Sequence, residues 1–342
     1  MDKVLVTGGT GYIGSHTVIE LLARGREVLV VDNLSNSGLE ALDQIERVVG
    51  RRPEFLQLDL LEAEALDALL AEHRPGAVIH FAAFKAVGES MALPLKYYRN
   101  NLFGMVNLTE SCLRHGVRHF VFSSSCTVYA QPDHLPVGED APVRRPTSPY
   151  GNTKRVSEEI LEDALKAQPG MKAIALRYFN PIGAHPSGHI GELPLGVPNN
   201  LVPYMTQAAI GLRGPLSIFG QDYPTPDGTC VRDYIHVVDL ALAHLAALER
   251  LEGGLQEQDI DYINVGNGVG HSVREVIETF ARVNQVEVPH RYAPRRPGDV
   301  AAVFADNAKA ERLLGWKPRY RLEDMLRTSW LWEKQYREKN DV

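Results

Sequence analysis

Lys3-Val-Leu-Val-Thr-Gly-Gly-Thr-Gly-Tyr-Ile-Gly-Ser-His16 joins a short apolar run to a glycine-rich turn. Val4, Leu5 and Val6 read as a fully buried strand, and the glycines after them open a tight turn into a helix starting near Tyr12. Gly8, Gly11 and Gly14 each have a different reason to be glycine. They serve a turn of unusual φ, a backbone that approaches phosphate closely, and a helix packed tightly on its strand. The helix N-terminus then presents unpaired N–H groups to an anion, the geometry that holds a pyrophosphate. A second buried strand, Glu27-Val-Leu-Val-Val31, ends in Asp32, at the distance where a carboxylate meets the adenine-side ribose hydroxyls. An acid there repels a 2′-phosphate, so the two strands predict NAD rather than NADP. The competing role for Asp32 is to cap the turn that follows it.

Outward from this unit, strand-like runs alternate with helix-like ones: Val28–Val31, Phe55–Leu58, Ala77–Phe81, His119–Phe122 and Ala173–Tyr178, with amphipathic stretches such as Ala63–Glu72 and Val106–His115 between them. Such alternation requires crossover helices on both faces of a parallel sheet, an α/β, doubly wound (Rossmann) fold. Ligands of that fold lie beyond the carboxyl ends of the strands. Asp59-Leu60, Phe81-Ala-Ala-Phe-Lys85 and Ser123-Ser-Ser-Cys-Thr127 follow strands three, four and five. This predicts Asp59 near adenine, Lys85 near phosphate or substrate, and the serines near the nicotinamide end. An exposed surface charge is the alternative for Lys85, and a plain polar loop the alternative for the serines.

Composition sets the limits. The 342 residues suit one large or two modest domains, and 44% apolar with 23% charged residues is ordinary for a globular chain with a sizeable core. A net charge of −7 argues against general nucleic-acid binding while leaving room for a local basic cluster that takes a small anion. Cys112, Cys126 and Cys230 are too few and too scattered for a disulfide framework or structural zinc, which predicts buried thiols in a reducing cytoplasm. The histidines form no metal-binding pair, no leader is visible, and no apolar run approaches the roughly 18 residues of a membrane span, so neither a metal nor a membrane is expected.

In Pro146-Thr-Ser-Pro-Tyr-Gly-Asn-Thr-Lys154, Ser148 fits an N-cap and Pro149 a first helical position, which puts Tyr150 and Lys154 one turn apart on one helix face. A free tyrosine is a poor base at neutral pH. Lowering its pKa by ~3 units takes about 4 kcal/mol of preferential phenolate stabilisation, within reach of a lysine ammonium and a positive nicotinamide ring. Beyond Arg177-Tyr-Phe-Asn-Pro181 the alternation fails and proline and glycine multiply. Helical periodicity returns at Leu201–Leu212, Val238–Leu251, Val273–Val283, Asn307–Leu314 and Leu322–Tyr336, which predicts a smaller α/β domain closing over the cofactor. Arg232 and the Arg295-Arg296-Pro-Gly-Asp299 stretch match a diphosphate clamp, and Phe219 a base-stacking ring. Structural ion pairs of these arginines with Asp233 and Asp299 are the alternative.

Thr7-Gly-Gly-Thr-Gly-Tyr-Ile-Gly14, Ser123-Ser-Ser125, Tyr150-x-x-x-Lys154, Arg177-Tyr-Phe-Asn-Pro181, Pro198-Asn-Asn-Leu201 and Arg232-Asp-Tyr-Ile-His236 taken together resemble the UDP-glucose 4-epimerase family of the extended short-chain dehydrogenase/reductase superfamily, from Lys3 to about Trp332. The resemblance implies a tightly held NAD in a domain of residues 1–180 and a UDP-hexose in residues 181–342, with interleaved boundaries. It implies that Tyr150 takes the proton of the sugar O4, that Ser125 bonds the same oxygen, and that Lys154 binds the nicotinamide ribose. It further implies NAD contacts at Gly8, Gly11, Tyr12, Ile13, Gly14, Asp32, Asn33, Asn36, Ser37, Asp59, Leu60, Phe81, Ala82, Lys85, Asn100, Ser123, Tyr150, Lys154 and Tyr178. The substrate positions it implies are Ser125, Tyr150, Phe179, Asn180, Asn200, Leu201, Ser217, Phe219, Arg232, Arg296, Asp299 and Val303. Val303 stands where members restricted to hexoses carry tyrosine, which implies some tolerance of UDP-GlcNAc and UDP-GalNAc. A homodimer through the helices around Leu102–Leu113 and Tyr150–Ala164 is also implied. A nucleotide-sugar dehydratase would need an acid and a base where this chain reads Ser124-Ser125-Cys126, and a non-catalytic NAD-binding protein would not need Ser125, Tyr150 and Lys154.

Overall fold

The structure is a computed structural model that describes residues 2–296 and 298–340, so the expected domain limits at Met1 and Val342 lie outside the described residues. Strands β1 (Val4–Thr7), β2 (Val28–Asp32), β3 (Glu54–Gln57), β4 (Ala77–His80), β5 (His119–Ser125) and β6 (Lys172–Tyr178) form where the apolar runs predict them. After Tyr178 come β7 (Asn180–Ile182), β8 (Leu216–Phe219), β9 (Val231–His236) and β10 (Ile260–Val265). The last three are β11 (Gly270–Ser272), β12 (His290–Ala293) and β13 (Ala302–Val303).

Seven parallel strands make the main sheet, in the order β10-β6-β5-β4-β1-β2-β3. Side chains alternate between its faces, so Val4 and Val6 enter one core layer and Leu5 the other. Helices Tyr12–Ala23 and Val237–Glu252 cover the first face. Helices Ala63–His73, Gly104–Arg114 and Pro149–Ala167 cover the second. The order reverses between β1 and β4, and a crevice opens at such a point beyond the strand ends. The glycine turn after β1 and the Phe81-Ala82 segment after β4 flank it.

Two expectations change. The strand expected to end at Phe122 runs on through Ser125, so the polar-loop alternative for the serines falls: Ser123, Ser124 and Ser125 stand opposite Leu176, Arg177 and Tyr178 of β6. The ladder continues because the hydroxyls find partners inside, Ser123 with Tyr178 and Ser124 with Glu158. The sheet also does not end with β6. β10 adds a seventh strand, reached through the helix Val237–Glu252, so the chain returns to the first layer after 181. The remaining strands form a smaller unit, β11-β9-β13 with β7 beside β9, and the pair β12-β8, over a separate apolar cluster that includes Phe280 and Met325. Among the described residues no helix is long and apolar enough to cross a membrane.

Candidate active site

Beyond β1 the chain turns at Gly8, whose φ of +73° places it in the left-handed region. A Cβ there would stand 2.6 Å from the Ala82 nitrogen, and one on Gly14 would stand 2.2 Å from the Gly8 oxygen. These positions exclude side chains and leave bare backbone facing the crevice at the start of helix Tyr12–Ala23, a cradle suited to a pyrophosphate. Asp32 accepts hydrogen bonds from Thr10 N (3.2 Å), Leu34 N (2.9 Å) and Ser37 Oγ (3.1 Å). It therefore caps the turn and also ties the glycine loop to the end of β2, so both roles weighed for it coexist. Asn33 Nδ2 donates to Asp59 Oδ2 (3.0 Å), joining the ends of β2 and β3. Asn100 sits in a π-helical turn, Arg99–Phe103, a distortion that often marks a working site.

The opposite wall carries the reactive groups. Ser148 Oγ accepts from Gly151 N (3.1 Å), and Pro149 occupies the first turn, so helix Pro149–Ala167 begins where the sequence predicts. Gly151 permits the close approach: a Cβ would meet Pro146 Cβ at 2.7 Å. Tyr150 and Lys154 are both buried. Lys154 Nζ donates to the Ser123 carbonyl (2.6 Å) and lies 5.0 Å from the centroid of Phe122. Burial pushes the Lys154 pKa down to about 7, against the pull of Glu158 one turn further along the helix. Burial pushes the Tyr150 phenol well up, the Tyr178 hydroxyl adds to this, and Ser125 offsets part of it. Desolvation thus outweighs what the chain's own groups supply, and the expected lowering counts also on the positive nicotinamide ring of a bound NAD. Ser125 Oγ accepts from both Thr127 N (3.2 Å) and Thr127 Oγ1 (3.0 Å), which fixes its orientation.

At the far end, Arg232 donates through Nη1 to Val231 O (2.9 Å) and Val300 O (2.8 Å), and its Nη2 lies 3.8 Å from Asp299. Arg296 Nε donates to Asp299 Oδ2 (3.0 Å), with its guanidinium 4.8 Å from the centroid of Phe219. The alternative ion pairing thus holds for Asp299. Asp233 instead accepts the backbone N–H groups of Asn267, Gly268 and Ala305, and burial pushes its pKa up to about 6. Val303 is buried beside Phe179 on β13, in register with Arg232.

Every residue expected to touch NAD or the UDP-hexose, from Gly8 to Val303, lines one cleft of about 1660 Å³, whereas Arg295 of the expected clamp stands outside it, paired with Asp222 (2.7 Å). Single small-molecule sites usually hold ~300–1,000 Å³, so this space fits two ligands end to end. Lys85 lies on its rim, paired to Glu192 (3.2 Å), while Tyr12 Oη donates to Gly183 O (2.6 Å), so the segment after β7 is strapped across the glycine loop. Thr10, Thr127, Glu192, Tyr234 and Tyr336 also line the cleft and were missed. Thr10 and Tyr234 sit inside quoted motifs, and Thr127 follows the serine strand closely enough to have been found. Glu192 and Tyr336 carry no local signal, since Lys85 lies 107 residues from Glu192 and Glu40 lies 296 from Tyr336. Among the described residues no cluster of His, Cys, Asp or Glu could hold a metal.

The chain matches the family described as GDP-mannose 4,6 dehydratase over residues 5–329. It is 54% identical over 330 residues to the UDP-glucose 4-epimerase of Bacillus subtilis (strain 168), covering 96% of each chain. A crystal structure of the Stenotrophomonas maltophila UDP-glucose 4-epimerase, with bound NAD and formylated UDP-arabinopyranose, superimposes with a TM-score of 0.95 at 47% identity, covering 99% of this chain and 100% of that one. The Bifidobacterium longum UDP-glucose 4-epimerase, in complex with NAD+ and UDP, superimposes with a TM-score of 0.94 at 44% identity, covering 97% and 98%. With this similarity running through both layers and the whole cleft, the chain belongs to the UDP-glucose 4-epimerase family.

Proposed function

We propose that this chain interconverts UDP-galactose and UDP-glucose by transient oxidation at C4 of the sugar, turning of the 4-keto sugar about its diphosphate link, and reduction from the other face. The observation that carries this reading is the cleft itself, in which Tyr150, Lys154 and Ser125 stand between the glycine cradle and the Arg232–Arg296–Phe219 end. NAD fits the cradle, because Gly8 and Gly14 admit no Cβ and Asp32 presents a carboxylate at the end of β2, and when bound it accepts and returns the C4 hydride and supplies a positive ring. Tyr150 takes the O4 proton as the carbonyl forms and gives it back as the new hydroxyl forms. Ser125, oriented by Thr127, bonds that oxygen. Lys154, held by the Ser123 carbonyl, holds the nicotinamide ribose and favours the phenolate when charged. Since the sugar must turn, affinity comes from the nucleotide: Arg232 and Arg296 on the diphosphate, Phe219 on uracil, and Asp299 on its ribose. Residues 1–180 supply most of the NAD site and 181–342 most of the UDP site, the two interleaved through β10. The absence of any carboxylate in Ser124-Ser125-Cys126 favours epimerisation over dehydration.

Anaerobic mixing of the purified protein with UDP-galactose, with and without added NAD, is the test. UDP-glucose should form without addition, and Tyr150→Phe should lower turnover by about 10²–10⁴-fold. No product in either arm overturns the reading. We also propose that Val303 admits UDP-GlcNAc and UDP-GalNAc beside the main pair. Val303→Tyr should then depress the N-acetylated rate against the hexose rate, and an unchanged ratio refutes it. The exposed Phe103 and Val106, on and just before helix Gly104–Arg114, support a homodimer, which sedimentation at several concentrations checks. The three free thiols favour a cytoplasmic setting.

A further inference from the structure

Arg177 opens the Arg-Tyr-Phe-Asn-Pro stretch, yet its side chain does not line the cleft. It is buried at 3% exposure against Glu158 at 4%, beneath the reactive helix face. Glu158 lies four residues after Lys154 and eight after Tyr150, so the three form one stripe along helix Pro149–Ala167. Glu158 Oε1 accepts from Arg177 Nε (2.9 Å) and Ser124 Oγ (2.5 Å), and Oε2 accepts from Arg177 Nη2 (2.7 Å). Arg177 Nη1 donates to Tyr129 Oη (3.1 Å), which donates to Asn264 Oδ1 (2.8 Å). The guanidinium lies 5.1 Å and 4.5 Å from the ring centroids of Tyr129 and Tyr262. A buried ion pair is a weak source of stability, and apolar side chains of equal volume often do as well or better, so stability alone does not account for this network. Its place does: it clamps the helix to β5 through Ser124 and to β6 through Arg177, one turn below the Lys154 bond to Ser123.

We propose that Glu158, locked by Arg177 and Ser124, is a positioning residue that keeps the Lys154 side chain charged and sets the Tyr150 face of the helix in register with the serine strand. The inference rests on the epimerase reading above. The groups that face Lys154 support it. Tyr150 shares its helix face, Tyr178 lies on β6, and Cys126 follows β5. His80 on β4 is held neutral by burial and by the lysine itself. Arg177 is cationic, and the charge of Glu158 is what favours the ammonium against burial.

Glu158→Gln keeps the shape and, through its amide oxygen, the bonds from Ser124 Oγ and Arg177 Nε, but it loses the bond from Arg177 Nη2 and removes the charge. On this proposal the alkaline limb of the parent's kcat–pH profile is set by loss of the Lys154 proton. In the variant that limb should move to lower pH by about one unit or more, with KM within about twofold. Glu158→Asp keeps the charge but shortens the reach, so its limb should stay in place while kcat falls at every pH. An unmoved limb in Glu158→Gln overturns the proposal while leaving an active parent, whereas an inactive parent overturns the epimerase reading instead. Should Glu158→Gln fail to fold, Ser124→Ala carries the test: kcat should fall about 3- to 10-fold at constant KM, and parental kcat overturns the proposal.

Discussion

Four histidines are sealed in the fold in their neutral form, where burial opposes taking a proton, and this predicts a steep loss of stability in mild acid. His16, His80, His236 and His244 are each at most 3% exposed, and burial pushes their pKa values down to about 4, 3, 3 and 4. The bonding agrees. His236 Nδ1 accepts the Val238 N–H, which a protonated nitrogen cannot do, and the Nε2 atoms of His16 and His244 have no protein partner. In the unfolded chain each would titrate near 6.5, so below that pH the unfolded state binds more protons and stability falls as pH falls. The stabilisation is whole above about pH 6.5 and is lost progressively toward the folded values of 3 to 4. At pH 5.5 one such group costs on the order of 1 kcal/mol relative to pH 7.5, and four together about 5 kcal/mol.

Two other groups nearly cancel. Asp233, raised to about 6, binds its proton more readily when folded and returns somewhat under about 1 kcal/mol at pH 5.5, while Lys154, lowered to about 7, costs a similar amount over the same interval. The net loss is a large part of a typical stability of about 5–15 kcal/mol. With an m-value of about 3 kcal/mol/M, the urea midpoint should fall by about 2 M between pH 7.5 and 5.5. His244→Gln should recover about a quarter of that difference. Midpoints that agree within about 0.3 M, or a His244→Gln protein with the parental pH dependence, would refute the reasoning.

Gly14→Ala forces a Cβ against the Gly8 carbonyl, so the purified protein should carry less than about a tenth of the parental bound nucleotide by absorbance, and full occupancy would show that the cradle tolerates a methyl group. Glu192→Gln removes the ion pair that ties the segment after β7 to Lys85, so bound cofactor should dissociate several-fold faster in a dilution assay. An unchanged off-rate would remove the strap from the account of retention. Ser148→Ala deprives Gly151 N of its cap at the start of the reactive helix and should cost about 1 kcal/mol in urea unfolding, with a larger proportional loss of kcat than of stability.

Local rules carried most of the site. The glycine turn, Asp32 at a strand end, and the cap and first turn before Tyr150 are each fixed by residues within a few positions of one another, so the sequence exposes them directly. Long-range contacts stayed hidden. β10 reads Ile260-Asp-Tyr-Ile-Asn-Val265, too polar to stand out as a buried run; it lies at the sheet edge, where the Tyr262 hydroxyl donates to Glu162 and the Asn264 amide to the Val137 carbonyl. The serines of β5 are polar for the same reason: Ser123 and Ser124 are satisfied by Tyr178 and Glu158, partners that only folding brings near, while Ser125 takes its bonds from Thr127 two residues on. For Tyr150 the chain's own groups leave burial in charge, and the second cation that the sequence reading counts on belongs to bound NAD. A phenol at a helix start gains from a nearby ammonium only after the cost of leaving water is met, and here Lys154 meets the same cost. This makes the charge at Glu158, invisible as a site in the sequence, the natural lever: it lies where neither ligand reaches and acts on the cation that the phenolate needs.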